Sequence, residues 1–290
     1  MNLTSYATLA RPATLQGVGL HSGQPVTVTL QPSAEVGFFF VRSDLPHQPR
    51  IPAAWEAVAD THHATTLRAG DATVSTVEHL LAALTAFGIT HCTIVLDGPE
   101  IPILDGSAQP WCDLLHEAGR IQLAGQRPLW GLREPVWVEG DNGASLLGLP
   151  LLPVEPESAQ WHLSCAVDFG HNYRQVVDII LTAQRFEAEL APARTFAREE
   201  WLPALRERGL IRGGDENNAL LLREDGPSRP WRVPQELAAH KTLDVVGDLS
   251  LLTAPQGAQL NMHLIAVRAG HGVHRSWIAQ AMQQDAFARF

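Results

Sequence analysis

In the last quarter of the chain, His240 and Asp244 stand four residues apart. On an α-helix that spacing brings both side chains to one face, one turn apart, as two metal ligands require. An exposed ion pair is the commoner reason for such a pair. A second polar pair, Glu78 and His79, lies inside the apolar run VEHLLAAL. Adjacent helical residues point about 100° apart, so these two cannot both be ligands from one direction. They can set a ligand and a base side by side at one metal. The competing explanation is local, because Ser75 and Glu78 spell S-x-x-E, a capping box at a helix start.

Two imidazoles and one carboxylate make a His₂Asp set with a fourth position open for water, the pattern of catalytic rather than structural zinc. Zinc acidifies bound water and polarises a carbonyl oxygen. Hydrolysis then needs a base for that water, an acid for the leaving group and a cation facing the oxyanion. Glu78 fits the base. Lys241 directly follows one ligand and fits the cation; it is the one lysine in a chain with 20 arginines. His271, in the turn before the last predicted helix, fits the acid. Asp248, four residues beyond Asp244, lies on the ligand face and fits a carboxylate that fixes a histidine by a hydrogen bond.

These residues need elements to carry them. The spacing of apolar residues predicts helices over 75–87, 110–118, 197–208, 237–252 and 273–288. Strands are expected at 26–30, 36–41, 91–96, 136–152, 161–169 and 259–268, with a tight glycine-rich loop at 17–23. Residues 126–135, with two prolines and no period, read as a linker. In each half a helix bearing histidine and an acid leads into an apolar strand. The expectation is an α+β fold with a duplicated unit, divided into domains 1–126 and 127–290.

The chain has 290 residues, 45% hydrophobic and 18% charged, enough for a real core and too apolar for disorder. A net charge of −10 with no basic stretch excludes a nucleic-acid groove. The opening segment MNLTSYATLARPATL has no basic region ahead of an apolar one, and no run approaches the roughly 18 apolar residues of a membrane span. Three cysteines, Cys92, Cys112 and Cys165, lack CxxC spacing and read as reduced, buried or half-buried thiols of a cytoplasmic protein. His21, His62, His63 and His263 have no partner spacing and read as structural or solvated.

Several segments carry a family resemblance. STVEHLLAAL (75–84), GPEIPILDGSA (98–108), PARTF (192–196) and HKTLDVVGD (240–248) are similar to the signature segments of the UDP-3-O-acyl-N-acetylglucosamine deacetylase family, LpxC. GVGLHSG (17–23), RGLIRGG (208–214) and AGH (269–271) match in the same order, so the resemblance runs from about residue 7 to residue 285. It implies two similar domains, each a two-layer α/β sandwich, with the active site between them. It implies one catalytic Zn2+, with Fe2+ as the alternative, bound by His79, His240 and Asp244, and deacetylation of an acylated UDP-N-acetylglucosamine in lipid A synthesis of Gram-negative bacteria. Glu78 carries over as general base and His271 as general acid or electrostatic partner. Thr195 carries over as a hydroxyl donor to the oxyanion, Lys241 as the cation near substrate, and Asp248 as the support of His271. The stretch 168–194 is expected to form an apolar passage for the fatty acyl chain, and the protein to work as a cytoplasmic monomer.

The chain departs from the family pattern at Ala197-Arg198, where Gly-Phe is usual. Arg268 stands where many relatives have lysine, and Ala64-Thr-Thr66 where a cysteine pair is common. The 168–194 insert is also slightly short. These bear on acyl-chain preference, not on the ligands or the base. Two rival functions remain. A mononuclear iron oxygenase would use the same facial ligands but gives Glu78 and Lys241 no role. A non-catalytic binder of UDP-sugar or acyl lipid would be expected to have lost a base or a ligand.

Overall fold

The computed structural model describes residues 4–152, 154–170 and 173–290. Residues 1–3 of the opening segment, and 171 and 172 of the expected acyl passage, lie outside the described residues. The chain is α+β, and its two halves repeat one arrangement around two seven-stranded sheets.

In the first sheet, His91–Leu96 runs between Pro25–Pro32, antiparallel, and Gly37–Arg42, parallel. Ala13–Val18 and Arg50–Pro52 extend the sheet on either side. Ser5–Leu9 meets the start of His91–Leu96 in parallel and pairs antiparallel with Arg120–Gln126. In the second sheet, Gln259–Val267 runs between Ser145–Pro150, antiparallel, and Trp161–Asp168, parallel. Val136–Glu139 and Arg174–Ile180 extend it. Leu129–Leu132 meets its start in parallel and pairs antiparallel with Phe287–Arg289. The six pairings of one sheet correspond one for one with the six of the other.

The strands form because their patterns match one wet face and one dry face. Trp161–Asp168 alternates buried and half-buried residues throughout. Between the sheets lie a short helix, Glu78–Ala86, and a long one, Glu236–Thr253, both almost wholly buried. The short helix ends where Gly88 takes a positive φ of 65° and returns its N–H to Thr85. Helices Gln109–Ala118 and His271–Gln283 occupy corresponding places in the two halves, each just before the last strand of its sheet. Among the described residues, no helix is long and apolar enough to cross a membrane. All three cysteines are buried and free, with burial pushing Cys92 and Cys165 up to about 12.

Several local expectations differ from the structure. No capping box forms at Ser75, which bridges to Glu100 in β fashion; the helix starts only at Glu78. The 126–135 stretch contains the fully buried strand Leu129–Leu132, which is too short between Pro128 and Pro135 to show a period. Residues 136–152 form two strands around a turn at Asp141–Gly143. The helix expected at 197–208 begins only at Leu202, because Phe196–Arg198 pairs with Leu220–Leu222. The last helix spans His271–Gln283, after which Asp285 turns the chain into a strand.

Candidate metal centre

The site exists because the two buried helices touch backbone to backbone. A Cβ on Gly247 would come 2.1 Å from the Glu78 carbonyl oxygen, so only glycine allows this approach. The contact sets the first turn of the short helix against the middle of the long one.

There the ligand atoms of His79, His240 and Asp244 all lie within 4.8 Å of one another. His79 Nε2 is 3.9 Å and His240 Nε2 3.6 Å from Asp244 Oδ1. His240 Nδ1 lies 3.1 Å from the Ala193 carbonyl oxygen, which can only accept. The ring hydrogen therefore sits on Nδ1, and the Nε2 lone pair faces Asp244. Asp244 Oδ2 accepts from Lys241 Nζ at 2.8 Å. Asp244 Oδ1 is buried and has no hydrogen-bond partner among the described residues. Such an orphan costs about 1–3 kcal/mol unless something occupies it. Electrostatics suit a cation. Burial, then His240, lowers His79 to about 3. Burial also lowers His240, so both rings are neutral near pH 7. Burial opposes the Asp244 charge, yet Lys241 and His240 hold its carboxyl well below the usual range. Two neutral imidazoles and one carboxylate fit a borderline divalent metal.

Glu78 is buried beside this trio. Its Oε2 accepts from the Thr65 N–H at 3.3 Å, and its Oε1 is 3.9 Å from His271 Nε2. Burial raises it to about 7, although His271 pulls the other way. Asp248 ties the far side together. Its Oδ2 lies 2.7 Å from both His271 Nδ1 and His274 Nδ1, and its Oδ1 accepts from the Thr65 hydroxyl at 2.6 Å. Burial disfavours the charged form of His271, but the Asp248 carboxylate, followed by Glu78, raises it to about 9. Asp248 is held low: its burial is outweighed first by the charge of His271 and then by hydrogen bonds from both histidines.

The structure thus brings together Glu78, His79, His240, Lys241, Asp244, Asp248 and His271. His271 is the first residue of its helix rather than part of the preceding turn. Lys241 is 22% exposed and pairs with Asp244, besides lying 5.7 Å from the Phe196 ring centre. Thr195 is tied through its backbone to Gly106 and Leu220, and its hydroxyl has no partner among the described residues. The link to the site is its neighbour Phe196, whose ring is 5.9 Å from that of His240.

Two residues at the site were not foreseen. His274 was signalled by its i, i+3 spacing from His271, which puts both on one helix face. Thr65 carries no sequence signal, since its role comes from a turn between short strands. Among the other histidines, His62 is exposed and bonded to Asp60, and His21 is half-buried.

Paired α/β sandwiches enclosing a two-histidine, one-carboxylate centre, with a carboxylate and an imidazole alongside, define the class of an α+β hydrolase. The family model described as LpxC, UDP-3-O-acyl N-acetylglycosamine deacetylase, matches residues 6–283. A protein named UDP-3-O-acyl-N-acetylglucosamine deacetylase from Thermosynechococcus vestitus is 43% identical over 285 residues, covering 97% of this chain and 95% of the relative. Relatives of the same name from Myxococcus xanthus and Chlamydia abortus are 39% and 38% identical, covering 95% and 91% of this chain and 85% and 92% of their own. The chain belongs to this family of deacetylases.

Proposed function

We propose that the protein hydrolyses the N-acetyl group of UDP-3-O-(3-hydroxyacyl)-N-acetylglucosamine, releasing acetate, as the committed step of lipid A biosynthesis. The observation that carries the reading is the buried, unpartnered Asp244 Oδ1 facing two imidazole Nε2 atoms, in a chain of the deacetylase family. His79, His240 and Asp244 would hold one zinc, with ferrous iron as the alternative occupant. When bound, the metal supplies Lewis acidity to the acetyl carbonyl and lowers the pKa of water.

The protein's own groups handle the protons. Glu78 takes a proton from the water that attacks the acetyl carbon, and the burial that raises its affinity suits it to that task near neutral pH. His271 holds a proton on Nε2 and delivers it to the amine nitrogen as the carbon–nitrogen bond breaks. Asp248 fixes the His271 ring through Nδ1 and stabilises its charge. Lys241 anchors Asp244 and, with Thr195, faces the charge that develops on the carbonyl oxygen.

The fatty chain would run along the 168–194 stretch. Phe169 there packs edge-on against Phe196 and Trp201, with ring centres 5.0 and 6.1 Å away. Ala197, Arg268 and the short insert then tune chain length. The three free, buried thiols support a reducing cytoplasm, where the protein acts as a monomer.

The test is incubation of purified protein with UDP-3-O-(3-hydroxyacyl)-N-acetylglucosamine. Equal amounts of free amine and acetate are expected. Absence of both from correctly folded, metal-loaded protein would overturn the reading.

A further inference from the structure

On the opposite face of the second sheet from the long helix, three adjacent strands place nitrogen and oxygen donors together. His162 and Ser164 come from Trp161–Asp168, Asp178 from Arg174–Ile180 and His263 from Gln259–Val267. The register explains the grouping. His162 is directly beside His263, and Ser164 directly opposite Asp178. Residues two apart on one strand share a face, so all four side chains rise from the same side. The buried neighbours Leu163 and Cys165 point the other way, into the core.

The two imidazoles stack almost parallel, with ring centres 3.8 Å apart and an interplanar angle of 7°. His162 Nε2 is 2.9 Å from Asp178 Oδ1, and His263 Nε2 is 2.8 Å from Ser164 Oγ, which itself donates to Asp178. Both Nε2 atoms therefore turn toward one carboxylate. The two nitrogens and the carboxylate oxygen all lie within 4.8 Å of one another. Metal–nitrogen and metal–oxygen bonds of about 2.0–2.2 Å span such a group after small rotamer changes.

We infer that His162, His263 and Asp178 form a second metal site, on the outward face of the second sheet, for a borderline divalent cation such as zinc. The donor chemistry selects the class, because imidazole nitrogen with one carboxylate suits zinc or copper rather than calcium or magnesium. As arranged, His162 Nε2 donates to Asp178 and His263 Nε2 to Ser164 Oγ, so a cation binds with the ring hydrogens moved to Nδ1 and both Nε2 lone pairs turned to it. Burial, followed by the neighbouring His162, lowers His263 further, while the Ser164 hydrogen bond and then His162 keep Asp178 ionised. The site is rigid because strands hold every donor. It is also open: the His162 side chain is 26% exposed and that of Asp178 63%, leaving positions for water. The buried trio at the helix contact uses different residues, so the two sites fill independently.

Zinc uptake by the full chain, measured by equilibrium dialysis, tests the inference. Wild type is expected to bind two equivalents, and the His162→Ala/His263→Ala variant one, with its remaining ion and its turnover unchanged. With the buried site already filled by zinc, a copper(II) electron paramagnetic resonance spectrum should show nitrogen coupling in wild type but not in the double variant. If the double variant melts far below wild type, Asp178→Asn replaces it, because that exposed side chain adds nothing to the core. Equal zinc stoichiometry in wild type and in the folded outer-site variant overturns the inference. So does loss of the second equivalent in Asp244→Ala while it is kept in the outer-site variant.

Discussion

The two halves share six strand pairings and a buried helix each, yet they contribute different chemistry. The first helix has 9 residues and brings Glu78 and His79 at its opening turn. The second has 18 and carries His240, Asp244 and Asp248 at successive steps of four along one buried face. The closing helices diverge as well. In Gln109–Ala118, His116 turns outward to pair with Glu187, whereas in His271–Gln283 both histidines turn inward to Asp248. Repetition thus supplied a scaffold, and the polar substitutions that make the site are unequal between copies. One half offers a candidate ligand and a carboxylate; the other offers two candidate ligands and the carboxylate that holds two imidazoles. Neither half contains the trio alone.

The sharpest way to break this division is to remove a ligand from the second half. Asp244→Ala should release the metal and abolish turnover while the chain still folds, read by metal analysis, activity and circular dichroism together. Full activity in that variant would mean the long helix supplies no essential ligand. From the first half, Glu78→Gln should keep the metal but lower turnover by roughly 10²-fold or more, the range for a general base. Loss of metal with turnover per bound metal intact would make Glu78 a structural residue instead.

His271 sharpens the comparison through pH. Its pKa is raised to about 9, so the proton it donates is present below that value. Activity should fall as pH rises through about 9, and His271→Gln should remove this alkaline limb along with most of the turnover. The same shift has a stability consequence. The contribution of the protonated ring is full below the ordinary histidine pKa of about 6.5 and is lost as pH rises through about 9. Melting curves across that window check the sign, with the His271→Gln variant showing the shallower dependence.

Lys241→Arg keeps the charge but replaces a compact ammonium with a wide planar fork beside Asp244. Turnover should fall substantially at equal metal content, and Lys241→Ala should lose more. Activity within about twofold of wild type for the arginine variant would show that charge alone is needed there. The smallest effect is structural. Gly247→Ala forces the two helices apart and should cost about 1–3 kcal/mol in denaturant unfolding, as overpacking does.

The legible parts of the molecule were those with long periods or strong spacing. The long helix and the Gln259–Val267 strand follow their predicted bounds within a residue or so, because each has enough apolar residues to display its period. The His240 and Asp244 pair was visible as a helical step. That Glu78 and His79 meet it was not a matter of spacing at all, since the meeting depends on Gly247 and on a crossing between elements far apart in sequence. The likeness of the halves was visible only as an order of elements. Its strongest evidence, the matched strand pairings, includes segments such as Leu129–Leu132 and Phe287–Arg289 that are too short to read. Thr65 shows the same limit at the site, because a turn residue acquires its role only when Asp248 is folded against it.

If one metal, held jointly by His79 of the first half and by His240 and Asp244 of the second, makes the site active, removing it must silence the protein. The direct measurement is acetate release by protein stripped with a strong chelator, before and after zinc is returned. No turnover in the stripped protein, and recovery once the buried site is reloaded, is the predicted result. Full turnover in rigorously metal-free protein would contradict it.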